Sequence, residues 1–220
     1  GPEVAVASTK ALTSQIVAGY MLALVLAEAR NAISEDARLA LGLELLQLPA
    51  SVSEVLANID QATALGTAHA NAKSVLFLGR NVGYPIAMEG ALKLKEIAYI
   101  HAEGFAAGEL KHGPIALIEE GQPVIVIVPN PHDADSLHPK VISNIQEIRA
   151  RGAKVIAIAE DGDQTVSQYA ESVIFVPKTD AIMAAVLDVI PLQAFALALS
   201  TAKGLDVDQP RNLAKSVTVE

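Results

Sequence analysis

The hydrophobic pattern changes period once along the chain. Over residues 11–30, Leu12, Ile16, Val17, Tyr20, Met21, Leu24 and Val25 recur at three- and four-residue steps, which is helical spacing. Residues 31–50 are mixed and close on Leu48-Pro49-Ala50-Ser51, a Pro-containing stretch that reads as a linker or a helix start. A second helix is expected over about 52–71. From there short apolar runs take over: 74–79, 124–128, 155–159 and 173–176. Each is rich in β-branched residues and closed by turn residues, and none alternates with polar positions. Strands of that kind are buried on both faces. Helical segments are expected between and after them at about 84–99, 136–151, 164–170 and 181–204. Strand alternating with helix predicts an α/β fold, a three-layer α/β/α domain on a central parallel sheet. The reading divides the chain into helices over 1–50, the sheet domain over 51–205, and an irregular tail over 206–220.

Composition narrows what such a domain can do. Of 220 residues 51% are hydrophobic but only 4% aromatic, so the core is aliphatic and offers no base-stacking surface. The net charge of −9 repels phosphate backbones, and no nucleic-acid partner is expected. Cysteine is absent, which removes disulfides, thiolate metal sites and a cysteine nucleophile. No uninterrupted apolar run reaches the ~18 residues of a membrane span, and no charged-then-apolar leader opens the chain. A cytoplasmic location with no membrane partner is expected. Gly1-Pro2-Glu3, with no initiator Met, reads as the start of a fragment.

Parallel sheets bind ligands beyond the carboxyl ends of their strands. After the first strand, Gly79-Arg80-Asn81-Val82-Gly83-Tyr84-Pro85 opens a helix, but it is no G-x-G-x-x-G and lacks the hydroxyls of a sugar-phosphate cradle. The helix it opens carries Glu89, Lys93 and Glu96 at i, i+4 and i+7. At ~100° per residue they share roughly a 60° wedge, bordered by Ile86, Ile97 and Leu92. Such a stripe is either an exposed ion-pair ladder or a polar line facing a cleft, where a carboxylate beside Lys93 could move protons. His101 to Pro114 then gathers two His, two Glu and a Lys among Gly and Ala. The eleven-residue spacing of His101 and His112 is no metal-ligand spacing, and no metal or cofactor is expected. His69, His132 and His138 read as surface residues. The tail from Asp206 to Ser216 is either a frayed terminus or a segment that folds over a site and delivers the amine of Lys215.

Three segments together resemble one family. Glu89-Gly90-Ala91-Leu92-Lys93-Leu94-Lys95-Glu96, then His101-Ala102-Glu103 with Gly108-Glu109-Leu110-Lys111-His112-Gly113-Pro114, and the tail Asp206-Val207-Asp208-Gln209-Pro210-Arg211-Asn212-Leu213-Ala214-Lys215-Ser216 are similar to the isomerase half of the glucosamine-6-phosphate synthases, the glutamine–fructose-6-phosphate amidotransferases. Gly1-Pro2-Glu3 with Ala7-Ser8-Thr9-Lys10 resembles the end of the first of that family's two sugar-isomerase (SIS) domains, so the likeness covers the whole chain.

The resemblance implies a fold and an activity. Ammonia released from glutamine by an N-terminal glutaminase domain meets fructose 6-phosphate, and isomerisation yields glucosamine 6-phosphate. The position matching Glu96 moves a proton between C1 and C2. The position matching Lys215 meets the open-chain carbonyl, and that matching His112 assists ring opening in the other subunit of a homodimer. Glu89, Lys93, Val6, Ser8 and Ala214 match residues around the sugar. Two departures stand out. There is no glutaminase Cys, and no S-x-S-x-x-T phosphate loop, since Ser51-Val52-Ser53 continues into Glu54-Val55-Leu56. The chain by itself is therefore expected to be nearly inactive. An SIS-type glucosamine-6-phosphate deaminase and a sugar-phosphate-binding module without turnover remain as alternatives.

Overall fold

The computed structural model describes residues 3–132, 135–214 and 216. Three helices lead: α1 (Lys10–Ala29), α2 (Glu35–Ala57) and α3 (Asp60–Ala68). Then follow β1 (Ser74–Gly79), α4 (Gly83–Lys93), a π-helical turn (Leu94–Ala98) and β2 (His101–Ala106). Two 3-10 turns (Ala107–His112 and Pro114–Leu117) lead to β3 (Pro123–Ile127), α5 (His138–Arg149), β4 (Lys154–Glu160), a short 3-10 turn (Val166–Gln168), β5 (Ser172–Val176) and α6 (Ala181–Ala202).

The five strands form one parallel sheet in the order β2-β1-β3-β4-β5. Its apolar runs are sorted by the pleat. Phe77, Ile125, Ile127, Ile156 and Ile158 face one layer, formed by α4, α6 and the N-terminal helices. Leu76, Leu78, Val124, Val126, Val155 and Ala157 face the other, closed by α5 and the 3-10 turns. Both faces are covered, which is why the strands tolerate continuous hydrophobicity.

Several expectations shift. Pro49 is no linker. It lies inside α2, which Ser34 caps by accepting the Ala37 N–H at 3.2 Å, so the boundary expected near residue 50 falls within a helix. The single helix expected over 52–71 is the end of α2 plus α3. β2 was not expected at all. It has no β-branched residue and its outer positions are exposed, because it is the edge of the sheet. By length and composition α1, α2 and α6 could each cross a membrane, although polar residues interrupt each as an apolar run. α6 uses that apolarity inside the protein, where 72% of its most apolar window is buried.

Helix α4 fixes the geography. It starts at the carboxyl end of β1 and returns along the sheet, packing so tightly on β2 that a Cβ on Gly104 would lie 2.7 Å from the Met88 Cα. Residues 93–98 thus arrive at the amino end of the sheet, where β2 begins.

Candidate functional site

Lys93 is the most buried lysine described, with 3% of its side chain exposed, and it bridges two carboxylates. Its Nζ lies 2.5 Å from Glu96 Oε2, donating a hydrogen bond, and 3.2 Å from Glu89 Oε1. Glu89 and Glu96 keep only 15% and 21% of their side chains exposed. The stripe is therefore a desolvated triad, not a solvent ladder. Burial raises the Glu89 carboxyl above its ordinary value; the Lys93 charge opposes this.

The π turn makes the triad compact. The N–H groups of Tyr99 and Ile100 both return to the Leu94 carbonyl, so the last turn is wider than an α turn. Such turns cluster at functional positions. Tyr99 closes it in the left-handed region at φ 55°, unusual for an aromatic residue.

The same tyrosine holds the tail. Its hydroxyl accepts the Arg211 backbone N–H at 2.8 Å, and the Arg211 guanidinium lies 4.2 Å over its ring. The N-terminal segment joins the tail as well, the Val6 N–H donating to the Asp208 carbonyl at 3.0 Å. A cleft of about 880 Å³ opens alongside, lined by Ala5, Ala7, Lys93, Ile97 and Asp208 among others. Glu89, Lys93 and Glu96 are thus brought together. Val6 is half-buried against the tail, Ser8 is half-buried, and Ala214 is exposed three residues beyond Arg211. Lys215 lies outside the described residues.

His112 does not join them within one chain. It ends an exposed 3-10 turn whose main partners are β2, α5 and the following turn. Its Nδ1 lies 2.7 Å from Glu109 Oε2, and 72% of its side chain is open. His101 is likewise exposed. His138 corrects the surface reading. It is buried, with Nε2 2.7 Å from Asp163 Oδ2, while Asp163 Oδ1 accepts the N–H groups of Thr165 and Val166. His69 is half-buried, with Nδ1 2.8 Å from the Leu65 carbonyl. No group of three or more His, Asp or Glu able to hold a metal is found among the described residues.

Sequence reasoning missed Tyr99, whose role depends on a left-handed backbone, and Asp188. The second had a signal. Asp188 is the single charged residue in the 22 of α6.

A family model described as SIS domain matches residues 70–203. The chain is 62% identical, over its whole length, to the glutamine–fructose-6-phosphate aminotransferase (isomerizing) of Corynebacterium efficiens, of which it covers 35%. It spans about a third of the length of the curated relatives it matches. The solved C-terminal domain of glucosamine-fructose-6-phosphate aminotransferase from Francisella tularensis matches 95% of this chain and 58% of that one, with a TM-score of 0.87 and 38% identity. Glucosamine-6-phosphate deaminase from Thermotoga maritima shares the fold at a TM-score of 0.63 and 21% identity, over 100% of this chain and 60% of that one.

Proposed function

Because the chain belongs to the SIS-domain family, we propose that it is the sugar-isomerase part of an enzyme making glucosamine 6-phosphate from fructose 6-phosphate and glutamine-derived ammonia. The observation that carries this reading is the Lys93–Glu96 contact of 2.5 Å on the π turn, beside the tyrosine that anchors the tail. Moving a proton between neighbouring carbons needs one carboxylate, rigidly held, that accepts a proton and returns it. Glu96 has that rigidity, and Lys93 supplies positive charge where an enediol oxygen would develop negative charge. The Arg211 anchor lies four residues before Lys215, which we assign to the sugar carbonyl as a Schiff-base amine.

His112 reaches the site of a second subunit in a homodimer. Its exposure, on a turn packed against β2 and α5, favours a role across an interface. The apolar residues exposed on α1, Met21, Leu22, Val25 and Leu26, favour association as well. Val6, Ser8 and Ala214 border the sugar. The partners of this region are then fructose 6-phosphate, glucosamine 6-phosphate, a second copy of the chain and a glutaminase domain in the longer protein, working in the cytoplasm with no cofactor. The 62% identity favours this reading over the deaminase, whose 21% identity reaches the fold alone.

The test is Glu96→Gln in the full-length protein. Sugar isomerisation is expected to fall at least a hundredfold with glutamine hydrolysis preserved. Equal loss of both would make Glu96 a structural residue.

A further inference from the structure

The triad sits at the amino end of the sheet, so the crevice where parallel sheets ordinarily take ligands is left over. It is not closed. A cavity of about 230 Å³ lies at the carboxyl ends of β1, β3, β4 and β5, beside the point where the strand order reverses between β1 and β3. Its walls are the Arg80–Gly83 loop, Ile127–Asn130, Glu160, Val176 and one face of α6. That face is Ala181, Ala184 and Asp188, at i, i+3 and i+7, with the two alanines leaving room above the carboxyl group.

One of its carboxylates has no partner, and a second is only partly satisfied. Asp188 is 7% exposed, and no hydrogen bond or ion pair is formed to it by any described residue. Glu160 is also 7% exposed, and its Oε1 is buried without a hydrogen bond. Lys178 Nζ forms an ion pair with that oxygen at 3.3 Å, and His132 Nε2 lies 3.7 Å from it. Buried carboxylates are ordinarily paired. Arg80, the one cation among the described lining residues, donates its Nε–H to Asn144 Oδ1 at 3.2 Å. Among the described residues no cation reaches Asp188, so its charge is left without a counterpart. Asn81 and Thr179 add neutral polar groups at the wall, suited to hydroxyls. The volume lies below the roughly 300–1,000 Å³ of drug-sized sites, so the ligand is small.

We propose that this crevice is a second ligand site, separate from the Lys93–Glu96 triad, and that it takes a small ammonium-bearing polyol of the amino-sugar class, with the ammonium group between Asp188 and Glu160. Burial without a partner also drives the Asp188 carboxyl well above its ordinary value, which an incoming ammonium would reverse. The site stands independently of the function proposed for the triad.

Titration calorimetry of the protein with free glucosamine tests it, with glucose and N-acetylglucosamine as probes lacking the charge. Glucosamine is expected to bind once per chain, and the two neutral sugars at least tenfold more weakly. At ten times its dissociation constant it should raise the unfolding midpoint by about 3–5 °C. Asp188→Asn and Glu160→Gln should each weaken binding at least tenfold, while Asp188→Asn raises the midpoint of the free protein. Glu96→Gln should leave this binding unchanged. No binding, equal binding of glucose, or loss through Glu96→Gln with Asp188→Asn indifferent would overturn the proposal. The last result would move the sugar to the triad without touching the reading of that site.

Discussion

Tyr99 and Arg211, 112 positions apart, are joined twice: the tyrosine hydroxyl accepts the arginine backbone N–H, and the arginine guanidinium covers the tyrosine ring. Tyr99 directly follows the turn that holds Glu96. One residue therefore sets both the end of the helix and the start of the tail's approach. Tyr99→Phe keeps the ring and removes the acceptor. About tenfold loss of isomerase turnover is expected in the full-length protein, from one hydrogen bond's worth of tail positioning. Limited proteolysis should show faster cleavage after residue 205, with little change in the unfolding midpoint.

Lys93 holds two carboxylates that would otherwise repel each other. Lys93→Met leaves them half-buried and unpaired, at an expected cost of about 3 kcal/mol in urea unfolding. Adding Glu89→Gln to Lys93→Met should restore part of that loss, since it removes one of the two stranded charges. A double variant as unstable as the single one would show that Lys93 acts through packing.

Stability is expected to fall as pH rises from the ordinary carboxylate range through the raised values of Asp188 and Glu89. Both carboxyls are raised by burial. Between the unfolded value and the raised one, the folded chain keeps a proton that the unfolded chain has released. The stabilising difference is complete below the unfolded value and is lost as pH climbs through the folded one. Urea midpoints across that range check the sign, and Asp188→Asn should flatten the slope.

Gly104 lets α4 lie directly on the edge strand, with Met88 N and Cα 2.8 and 2.7 Å from where a Cβ would be. Backbone cannot step aside as a side-chain tip can. Gly104→Ala is expected to cost about 1–3 kcal/mol of stability, read from denaturant unfolding, and to lower isomerase activity by moving the helix that carries Glu89 and Lys93.

If His112 serves a neighbouring subunit, two dead variants should rescue each other. Full-length Glu96→Gln and His112→Ala, mixed and allowed to exchange subunits, form hybrid dimers with one intact site. About a quarter of wild-type activity is expected from random pairing. Light scattering should show at least a dimer. No rescue in exchanged dimers would put both residues in one chain's site or neither.

The aliphatic strands were legible because burial on both sheet faces demands continuous hydrophobicity, and β1, β3, β4 and β5 lie within two residues of the runs that announced them. β2 was not, since an edge strand of His, Ala, Glu and Gly carries no such demand. Pro49 misled because a proline within an otherwise apolar helix can be tolerated, at a cost no local pattern reveals. At the site, the shared face of Glu89, Lys93 and Glu96 was visible in their spacing, although an ideal α wedge is not what unites them. A widened turn does, and nothing in Leu94–Ala98 advertises it. His138 and Asp163, 25 residues apart, meet only through the packing of α5 against the loop after β4.

The account rests on Glu96 moving a proton on a sugar carbon, and deuterium reports that step directly. Full-length protein given fructose 6-phosphate in D₂O should place solvent deuterium on the carbon skeleton, and Glu96→Gln should place none while still releasing ammonia from glutamine. Undiminished deuterium uptake by Glu96→Gln would contradict the account.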